Sequence, residues 1–244
     1  MIPFKDVTVV LLNYKRPWNI PPICESLIRT GFTEIIVRDQ SPQEYHEIFP
    51  IADAIPAGVR LIREENVLNV RTLGRFLVLD KVTARPFIAT QDDDYIITDL
   101  GWSRILHQEY KGICCQLPQS NLKFEQAYEL PFVNIGYGSV YPKRLAVEFI
   151  KQWSERYGAA DPSLVRKGDR CFTAWAGKWL ALPAYANTLK KLWNPGGELS
   201  ENDQNSISLT DEHWPDTWKA VIKARELSAS RTQMVREFPT CSNN

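Results

Sequence analysis

Apolar runs alternate with amphipathic segments along the first half of the chain. Four runs rich in β-branched residues are typical of strands buried on both faces: "DVTVVLLNY", "TEIIVRDQS", "VRLIREE" and "RPFIATQDDD". "PPICESLIRTG" predicts a helix that begins at Pro21 and Pro22 and ends at Gly31, and "RTLGRFLVLDKV" predicts a second helix. This alternation predicts an α/β fold in which helices cover a mostly parallel sheet.

The second half has a less regular pattern. "VNIGYGSVYP" predicts a strand or loop interrupted by glycines, and "PKRLAVEFIKQWSERYG" predicts an amphipathic helix that ends at Gly158. "DRCFTAWAGKWLAL" predicts a further helix with Asp169 as its N-cap. We interpret the polar, glycine-bearing stretch from Gly196 to Asp211 as a mobile loop, and "PDTWKAVIKAREL" as a closing helix.

Polar residues follow each predicted strand of the first half. They are Asn13, Tyr14, Lys15 and Arg16 after the first strand, Asp39 after the second, Asn69 and Arg71 beyond the third, and Asp92, Asp93 and Asp94 after the fourth. Ligands of such sheets bind at the carboxyl ends of the strands. We therefore expect these side chains to converge on one crevice.

The three consecutive carboxylates need a compensating charge, because adjacent anions repel one another. No basic residue adjoins them in the sequence. Hard oxygen ligands of this kind suit Mg²⁺ or Mn²⁺, which one or two carboxylates hold together with water and substrate phosphates. In an extended segment Asp92 and Asp94 would face the same side. The alternative is a solvated turn with excess charge.

Composition and charge narrow the function classes. The chain has 244 residues, of which 44% are hydrophobic, enough to bury a sizeable core in one domain. Its 29 Lys and Arg balance its 29 Asp and Glu, so it lacks the basic excess typical of nucleic-acid-binding proteins. Between Lys143 and Lys191, ten basic residues stand against four acidic ones, a net of +6. That stretch favours an anionic acceptor or is a solvated face.

The cysteines indicate neither a disulfide framework nor a zinc site, because there are five of them and none has CxxC spacing. Cys114 and Cys115 would alternate across a strand and pack in the core. The sequence contains no run of about 20 apolar residues, so we predict a cytoplasmic protein without a membrane span. The tryptophans are predicted to be mostly core, with Trp175 or Trp193 available to stack on an acceptor ring.

Several motifs together resemble the GT-A glycosyltransferases, and among them the exostosin-type glycosyltransferase domain. They are "VVLLNYKRP", "NVRTLGRF", "QDDDY" as the Asp-x-Asp element, "NIGYGSVYPKRL", "KGDRCFTAW" and "SISLTDEHW". The resemblance runs from about Val7 to about Arg225 and implies a Rossmann-like, mixed but mostly parallel sheet. "GDRCF" departs from the family pattern, since it has one acid where the family has two. The resemblance implies one domain over 1–244, with a nucleotide-sugar half at 1–98, an acceptor half at 99–230 and a tail at 231–244.

The resemblance also implies a role for each candidate residue. Nucleotide-sugar contacts would come from Asn13, Arg16, Asp39, Asn69, Arg71, Arg75, Asp92 and Asp93, and metal ligands from Asp94, Asp92 and His213. Asp169 would lie beside the sugar and the acceptor hydroxyl, as a base in an inverting enzyme or as a stabilising carboxylate in a retaining one. The competing interpretations are that Arg71 and Arg75 are surface charges four apart on a helix and that His213 merely packs.

The resemblance implies an enzyme that uses Mn²⁺ or Mg²⁺ to transfer a sugar, with a UDP-sugar as the expected donor and a hydroxyl as the acceptor. The acceptor is a glycan or small molecule, or a hydroxymethylated pyrimidine base in DNA, as for virus-type DNA glycosyltransferases. A nucleotidyltransferase is a rival, but "NYKRPWNIPP" contains no glycine-rich phosphate loop. A non-catalytic sugar-nucleotide-binding module is the third interpretation.

Overall fold

The chain is built around a seven-stranded sheet with a two-stranded ribbon beside it. The computed structural model describes residues 1–63, 71–108, 112–127, 129–192 and 213–237. The sheet contains β1 (Val7–Asn13), β2 (Ile35–Asp39), β3 (Arg60–Arg63), β4 (Phe87–Gln91), β6 (Ile113–Pro118), β7 (Ser139–Pro142) and β8 (Trp179–Ala184). The ribbon pairs β5 (Tyr95–Ile97) with β9 (Leu189–Lys191).

Eight α-helices accompany these strands in the described part of the chain. They are α1 (Ile20–Thr30), α2 (Gln43–Ile48), α3 (Ile51–Ala54), α4 (Asp99–Leu106), α5 (Gln119–Ala127), α6 (Lys143–Tyr157), α7 (Pro162–Ala176) and α8 (His213–Glu237). Short 3₁₀ turns cover Phe4–Asp6, Pro17–Asn19, Arg71–Arg75 and Leu79–Lys81. Among the described helices, none combines the length and apolar character needed to cross a bilayer.

The sheet order is β3-β2-β1-β4-β7-β6-β8, and of its strands only β7 runs against the others. The predicted mixed, mostly parallel sheet flanked by helices is therefore confirmed. The chain leaves β1 for β2 on one side, while β4 pairs with β1 on the other. Ligand crevices of open α/β sheets lie where the strand order reverses in this way, at the carboxyl ends of the strands. The acidic run directly follows β4 at this edge.

Two apolar layers hold the helices on the sheet. One joins α1 and α4 to the sheet through Ile23, Leu27 and Trp102, and the other lies under α6, α7 and α8. In the second layer Phe149 lies 5.5 Å from Trp175, ring centroid to centroid. Trp175 has no exposed surface, so the expectation that it stacks on an acceptor ring is wrong. Trp193 lies outside the described residues.

The buried cysteines divide between these two layers. Cys114 packs in the layer of α1 and α4, and Cys115 packs in the layer of α6 and α7. Successive side chains of a strand point to opposite faces, so the two neighbours cannot share one ligand. Their predicted role in core packing is confirmed.

Two edge strands bound the sheet. At one edge, β3 is short, half-exposed and carries Arg60 and Arg63. At the other edge, β8 contains Pro183, which has no backbone N–H to donate. Much of β8 was predicted as helix, from "GKWLAL", and this prediction is wrong. The helix ends at Gly177, which adopts a left-handed conformation (φ 67°) that favours glycine.

Helix α7 begins earlier than its sequence pattern predicts. Asp161 is its N-cap and accepts hydrogen bonds from Ser163 N (3.0 Å) and Leu164 N (3.3 Å). The helix bends at Lys167, whose φ of −133° and ψ of 27° are not helical. Asp169 follows the bend inside the helix, so the prediction that it caps the helix is wrong.

The segment from Arg71 to Arg75 is a 3₁₀ turn and not the predicted α-helix. Arg71 has φ 48°, which begins the turn in a left-handed conformation. Gly74 packs against Gln40, and a Cβ there would lie 2.7 Å from Gln40 Nε2. Gln40 Nε2 also donates to the Arg71 carbonyl (3.0 Å). Because the backbone here is a 3₁₀ turn, helical spacing does not describe the two arginines.

Candidate functional site

The three carboxylates after β4 belong to one tight turn between β4 and β5. The backbone N–H of Asp92 donates to the carbonyl of Gly136 (2.9 Å), which joins the turn to the segment before β7. A Cβ at Gly136 would lie 1.9 Å from Asp92 Oδ2, so a side chain there would displace this carboxylate from its present position. The absence of a side chain at residue 136 therefore forms part of the site.

Asp93 fastens the loop after β1 to this acidic turn. Its carboxylate accepts from Tyr14 N (2.8 Å) and pairs with Arg16 Nη1 (2.8 Å), and its carbonyl accepts from Asn19 Nδ2 (2.8 Å). Burial raises the pKa of Asp93 to about 6, against the opposing pull of Arg16. Arg16 and Asp93 were predicted to contact the nucleotide, and the structure brings these two groups into contact with each other. Their direct nucleotide contacts stay a prediction.

Arg75 crosses between the acidic turn and α7. Its side chain has no exposed surface, and its two terminal nitrogens lie 2.5 Å from Asp92 Oδ1 and 3.1 Å from Asp169 Oδ2. Burial alone would lower the pKa of Arg75, but Asp169 and Asp92 outweigh it and the pKa lies above its ordinary value. The interpretation of Arg75 as a surface charge is therefore wrong. Part of the compensation for the acidic run is an arginine that is distant in sequence.

Asp169 is a buried carboxylate, and only one of its two oxygens pairs with another side chain among the described residues. Oδ2 faces Arg75, whereas Oδ1 is buried and has no hydrogen-bond partner among the described residues. Burial raises the pKa of Asp169 to about 7, with Arg75 opposing the rise and Asp92 adding to it. An unsatisfied buried carboxylate oxygen is costly and is typical of a group that meets a ligand.

Asp94 receives less compensation than its two neighbours. No ion pair joins its carboxylate to another side chain in the ranges that the structure describes. Burial raises the pKa of Asp94 to about 7, and the charges of Asp92 and Asp93 reinforce the rise. A carboxylate in this position suits a divalent cation, which would relieve the repulsion among the three acids.

The described residues contain no group of three metal-ligating side chains. Asp92 and Asp94 are nonetheless compatible with Mn²⁺ or Mg²⁺, because such ions take only one or two carboxylates and complete their shell with water and phosphate oxygens. The predicted contribution of His213 cannot be placed, since its side chain lies outside the described residues, as does Asn69. The loop predicted between Gly196 and Asp211 also lies outside them.

A cavity of about 130 Å³ opens over this arrangement. Its walls are Leu12, Tyr14, Arg16, Gln40, Arg71, Thr72, Arg75 and the three acids Asp92, Asp93 and Asp94. Six of the predicted site residues therefore share one cavity: Arg16, Arg71, Arg75, Asp92, Asp93 and Asp94. Asp169 reaches this group through Arg75.

Asn13 and Asp39 form a polar base beneath the loop after β1. Parallel register places them opposite each other, and Asn13 Nδ2 donates to Asp39 Oδ1 (2.9 Å). The Asp39 carboxylate has no exposed surface and also meets Arg63 (3.3 Å) and His46 (3.4 Å). Sequence reasoning missed both partners, although Arg63 follows from the pairing of β2 with β3, whose register sets it opposite Asp39.

An aromatic pair beside the acidic turn was also missed. The rings of Tyr95 and Tyr137 lie 5.2 Å apart in an edge-to-face arrangement, and Tyr95 directly follows Asp94 in the chain. Burial raises the pKa of Tyr95, and the nearby phenol of Tyr137 and the carboxylate of Asp94 reinforce the rise. The phenol of Tyr137 accepts from Asn121 Nδ2 (3.1 Å). The "YG" dipeptides around residue 137 were the only signal in the sequence.

No protein-family model and no curated protein sequence matches the chain. Solved structures do match its fold. S. aureus TarS 1–349 in complex with UDP-GlcNAc is 14% identical, with a TM-score of 0.55 over 89% of this chain and 66% of that one. A second S. aureus TarS structure is also 14% identical, with a TM-score of 0.51 over 91% of this chain and 50% of that one. The chain thus spans slightly less than two thirds of the first TarS structure and half of the second.

A third structure with the same architecture is 4-diphosphocytidyl-2C-methyl-D-erythritol synthase from Anaerococcus prevotii. It is 12% identical, with a TM-score of 0.50 over 92% of this chain and 98% of that one. At these identities the matches establish the fold, which is the GT-A, Rossmann-like arrangement that the motifs imply.

Proposed function

We propose that this chain is a metal-dependent glycosyltransferase that moves a sugar from a UDP-sugar to a hydroxyl acceptor. The observation that carries the proposal is the chain of contacts from the acidic turn after β4, through the buried Arg75, to Asp169. It links a carboxylate pair suited to a metal with a third carboxylate suited to chemistry on the sugar. The TarS structure with UDP-GlcNAc supports the proposal through its shared fold.

Asp94, together with Asp92, would hold the divalent cation, Mn²⁺ or Mg²⁺. When bound, such an ion stabilises the charge that develops on the leaving diphosphate. The ion pair between Arg16 and Asp93 holds the loop after β1 against the acidic turn. This side of the donor cavity would therefore be ordered before the donor binds. A donor contact by Asn69 and metal ligation by His213 remain part of the proposal.

Asp169 is the residue to which we assign the chemistry at the acceptor side. Its free Oδ1 is available to an acceptor hydroxyl, and a pKa of about 7 suits a group that exchanges a proton near neutral pH. In an inverting enzyme it would take the hydroxyl proton, and in a retaining enzyme it would stabilise the oxocarbenium ion. Arg75 orients the carboxylate by binding its other oxygen.

We also propose a relationship to the exostosin-type domain and a class of acceptor. The exostosin relationship rests on the sequence motifs alone. The acceptor is a glycan or small molecule with a hydroxyl, with a hydroxymethylated base in DNA as the alternative. The net charge of zero argues against DNA, because phosphate contacts by excess Lys and Arg supply most of the affinity for nucleic acid.

A nucleotidyltransferase is the second candidate, and the fold shared with the A. prevotii synthase is the observation that favours it. The segment from Tyr14 to Asn19, which follows β1, argues against it because it contains no glycine to wrap a triphosphate. The two activities release different products. A glycosyltransferase releases UDP, whereas a nucleotidyltransferase releases pyrophosphate.

The test is an incubation of the protein with individual nucleotide sugars and with nucleoside triphosphates, each with Mn²⁺ and with a chelator. We expect slow, Mn²⁺-dependent release of UDP from one UDP-sugar, by transfer to water, and no pyrophosphate from any triphosphate. Pyrophosphate release would establish the second candidate. Metal-dependent UDP binding without turnover of any donor would indicate a non-catalytic binding module, and a protein that binds no nucleotide would overturn the proposal.

A further inference from the structure

Four cations gather where α7 bends toward the 3₁₀ turn at residues 71–75. We call this group the basic patch, and it consists of Arg71, Arg166, Lys167 and Arg170. Lys167 stands at the bend and is 5% exposed. Gly168 lets the two elements approach, since a Cβ there would lie 3.2 Å from Leu73 N. The fold therefore brings together positive charges that two separate segments supply.

The three arginines of the basic patch act electrostatically on the buried Lys167. Burial and the charges of Arg170, Arg71 and Arg166 together lower the pKa of Lys167 to about 8, although Asp216 opposes them. Asp216 pairs with Arg166 at 2.8 Å, while Arg170 donates to Thr217 Oγ1 at 2.7 Å. A buried lysine held among like charges gains stability when an anion binds.

The basic patch meets the candidate site at Arg71. Lys167 precedes Asp169 by two positions, and Arg71 lines the cavity of the three acids. A second cavity, of about 80 Å³, opens at the start of α7. Its walls are Pro162, Ser163, Arg166, Lys167, Asp216 and Lys219, none of which lines the first cavity. An anion in the second cavity would therefore be distinct from a donor bound beside Asp94.

We propose that the basic patch binds a phosphate group carried by the acceptor, so that the acceptor is a phosphorylated hydroxyl compound. This inference rests on the proposed function, because it takes Asp169 as the group that meets the acceptor. Arginine and lysine together bind phosphate through charge-assisted hydrogen bonds. Three of the patch residues lie in the stretch from Lys143 to Lys191 that carries the net charge of +6: Arg166, Lys167 and Arg170.

The same phosphate chemistry could come from the donor's diphosphate, and the experiment separates the two sources. Inorganic phosphate is titrated into protein saturated with UDP and Mg²⁺, and binding is followed by backbone amide NMR. We expect shifts around residues 166–170 that persist with UDP bound. The Arg166→Gln variant should bind phosphate about 10-fold more weakly, as expected for the loss of one charge-assisted contact. The side chain of Arg166 is 47% exposed and forms its ion pair at the surface, so the variant should fold.

Lys151→Gln is the matched control, because it removes one positive charge from an exposed position on α6. It should bind phosphate as the wild type does. Absence of phosphate binding, displacement of phosphate by UDP, or equal weakening in both variants would overturn the inference. Failure of the protein to bind UDP at all would instead overturn the proposed function, so the two failures are distinguishable.

Discussion

Arg75 Nη1 lies 3.1 Å from Asp169 Oδ2, inside the protein and out of contact with solvent. The same guanidinium meets Asp92, so one buried cation serves two carboxylates from different parts of the chain. Breaking a buried ion pair leaves an uncompensated charge, which makes such an arrangement sensitive to substitution. The first two predictions concern Arg75 and Asp169, and the third concerns Asp94, which follows Asp92 in the same acidic turn.

Replacement of Arg75 by methionine should destabilise the protein by about 3–5 kcal/mol, because Asp169 would be left buried without its cation. The measurement is urea unfolding of the Arg75→Met variant. Arg144→Met, at an exposed arginine, is the control and should change little. The double variant Arg75→Met/Asp169→Asn should recover part of the loss, and strictly additive losses would contradict the ion pair.

Asp169→Asn should lower the rate of sugar transfer by about 100-fold or more and leave UDP affinity unchanged, as expected for a group that acts in the transition state. Steady-state kinetics and calorimetry measure the two quantities. Asp161→Asn is the control for helix capping, since Asp161 is the residue that caps α7 and asparagine caps equally well. A fully active Asp169→Asn enzyme would remove this residue from the mechanism.

Asp94→Asn should abolish the dependence of UDP affinity on metal, because Asp94 is the carboxylate of the acidic turn without an ion pair in the described ranges. Calorimetry with UDP, in Mn²⁺ and in chelator, gives the comparison. The exposed Asp53 on α3 provides the control variant, Asp53→Asn, which should keep the metal dependence of the wild type. Equal affinities in Mn²⁺ and chelator for the wild type would show that donor binding needs no metal.

Glu34 should contribute stability that depends on pH. Burial raises the pKa of its carboxylate, but hydrogen bonds from Thr8 and Thr83 and the charge of Arg85 outweigh this, so the pKa lies below its ordinary value of 4.5. Its contribution is therefore fully present above pH 4.5 and declines as the pH falls through the lower, folded-state pKa.

Glu34→Gln should therefore cost about 1–3 kcal/mol at pH 7, and the difference from wild type should shrink by pH 3. Urea unfolding at both values provides the measurement, with Glu44→Gln, at an exposed position on α2, as the control. A difference that is constant over this range would show that the charge of Glu34 plays no part.

The strands and the larger helices were predictable because their periodic patterns are strong. β1, β2, β4, α1 and α6 lie where apolar runs and amphipathic spacing place them. The turn at residues 71–75 was not predictable, since its contacts with Gln40 join positions that are far apart in sequence. The true start of α7 was missed, although Asp161 followed by Pro162 is a recognised start signal.

The candidate site was predictable only where it follows strand ends. Asn13, Asp39 and the acidic run lie at the expected edge because parallel register places them there. His46 and Arg63 were missed, since their contacts with Asp39 depend on the path of α2 and on the pairing of β3. The contact of Arg75 with Asp169 joins two loosely patterned segments, and no local signal encodes it.

The edge strands determine how the sheet behaves toward a second copy of the chain. An incoming strand would meet two arginines on the four-residue β3, and at β8 it would meet a proline that offers no donor. Natural sheets use such devices to prevent edge-to-edge pairing. The sheet is thus protected at both sides against open-ended stacking, and we expect concentrated solutions to resist fibril formation.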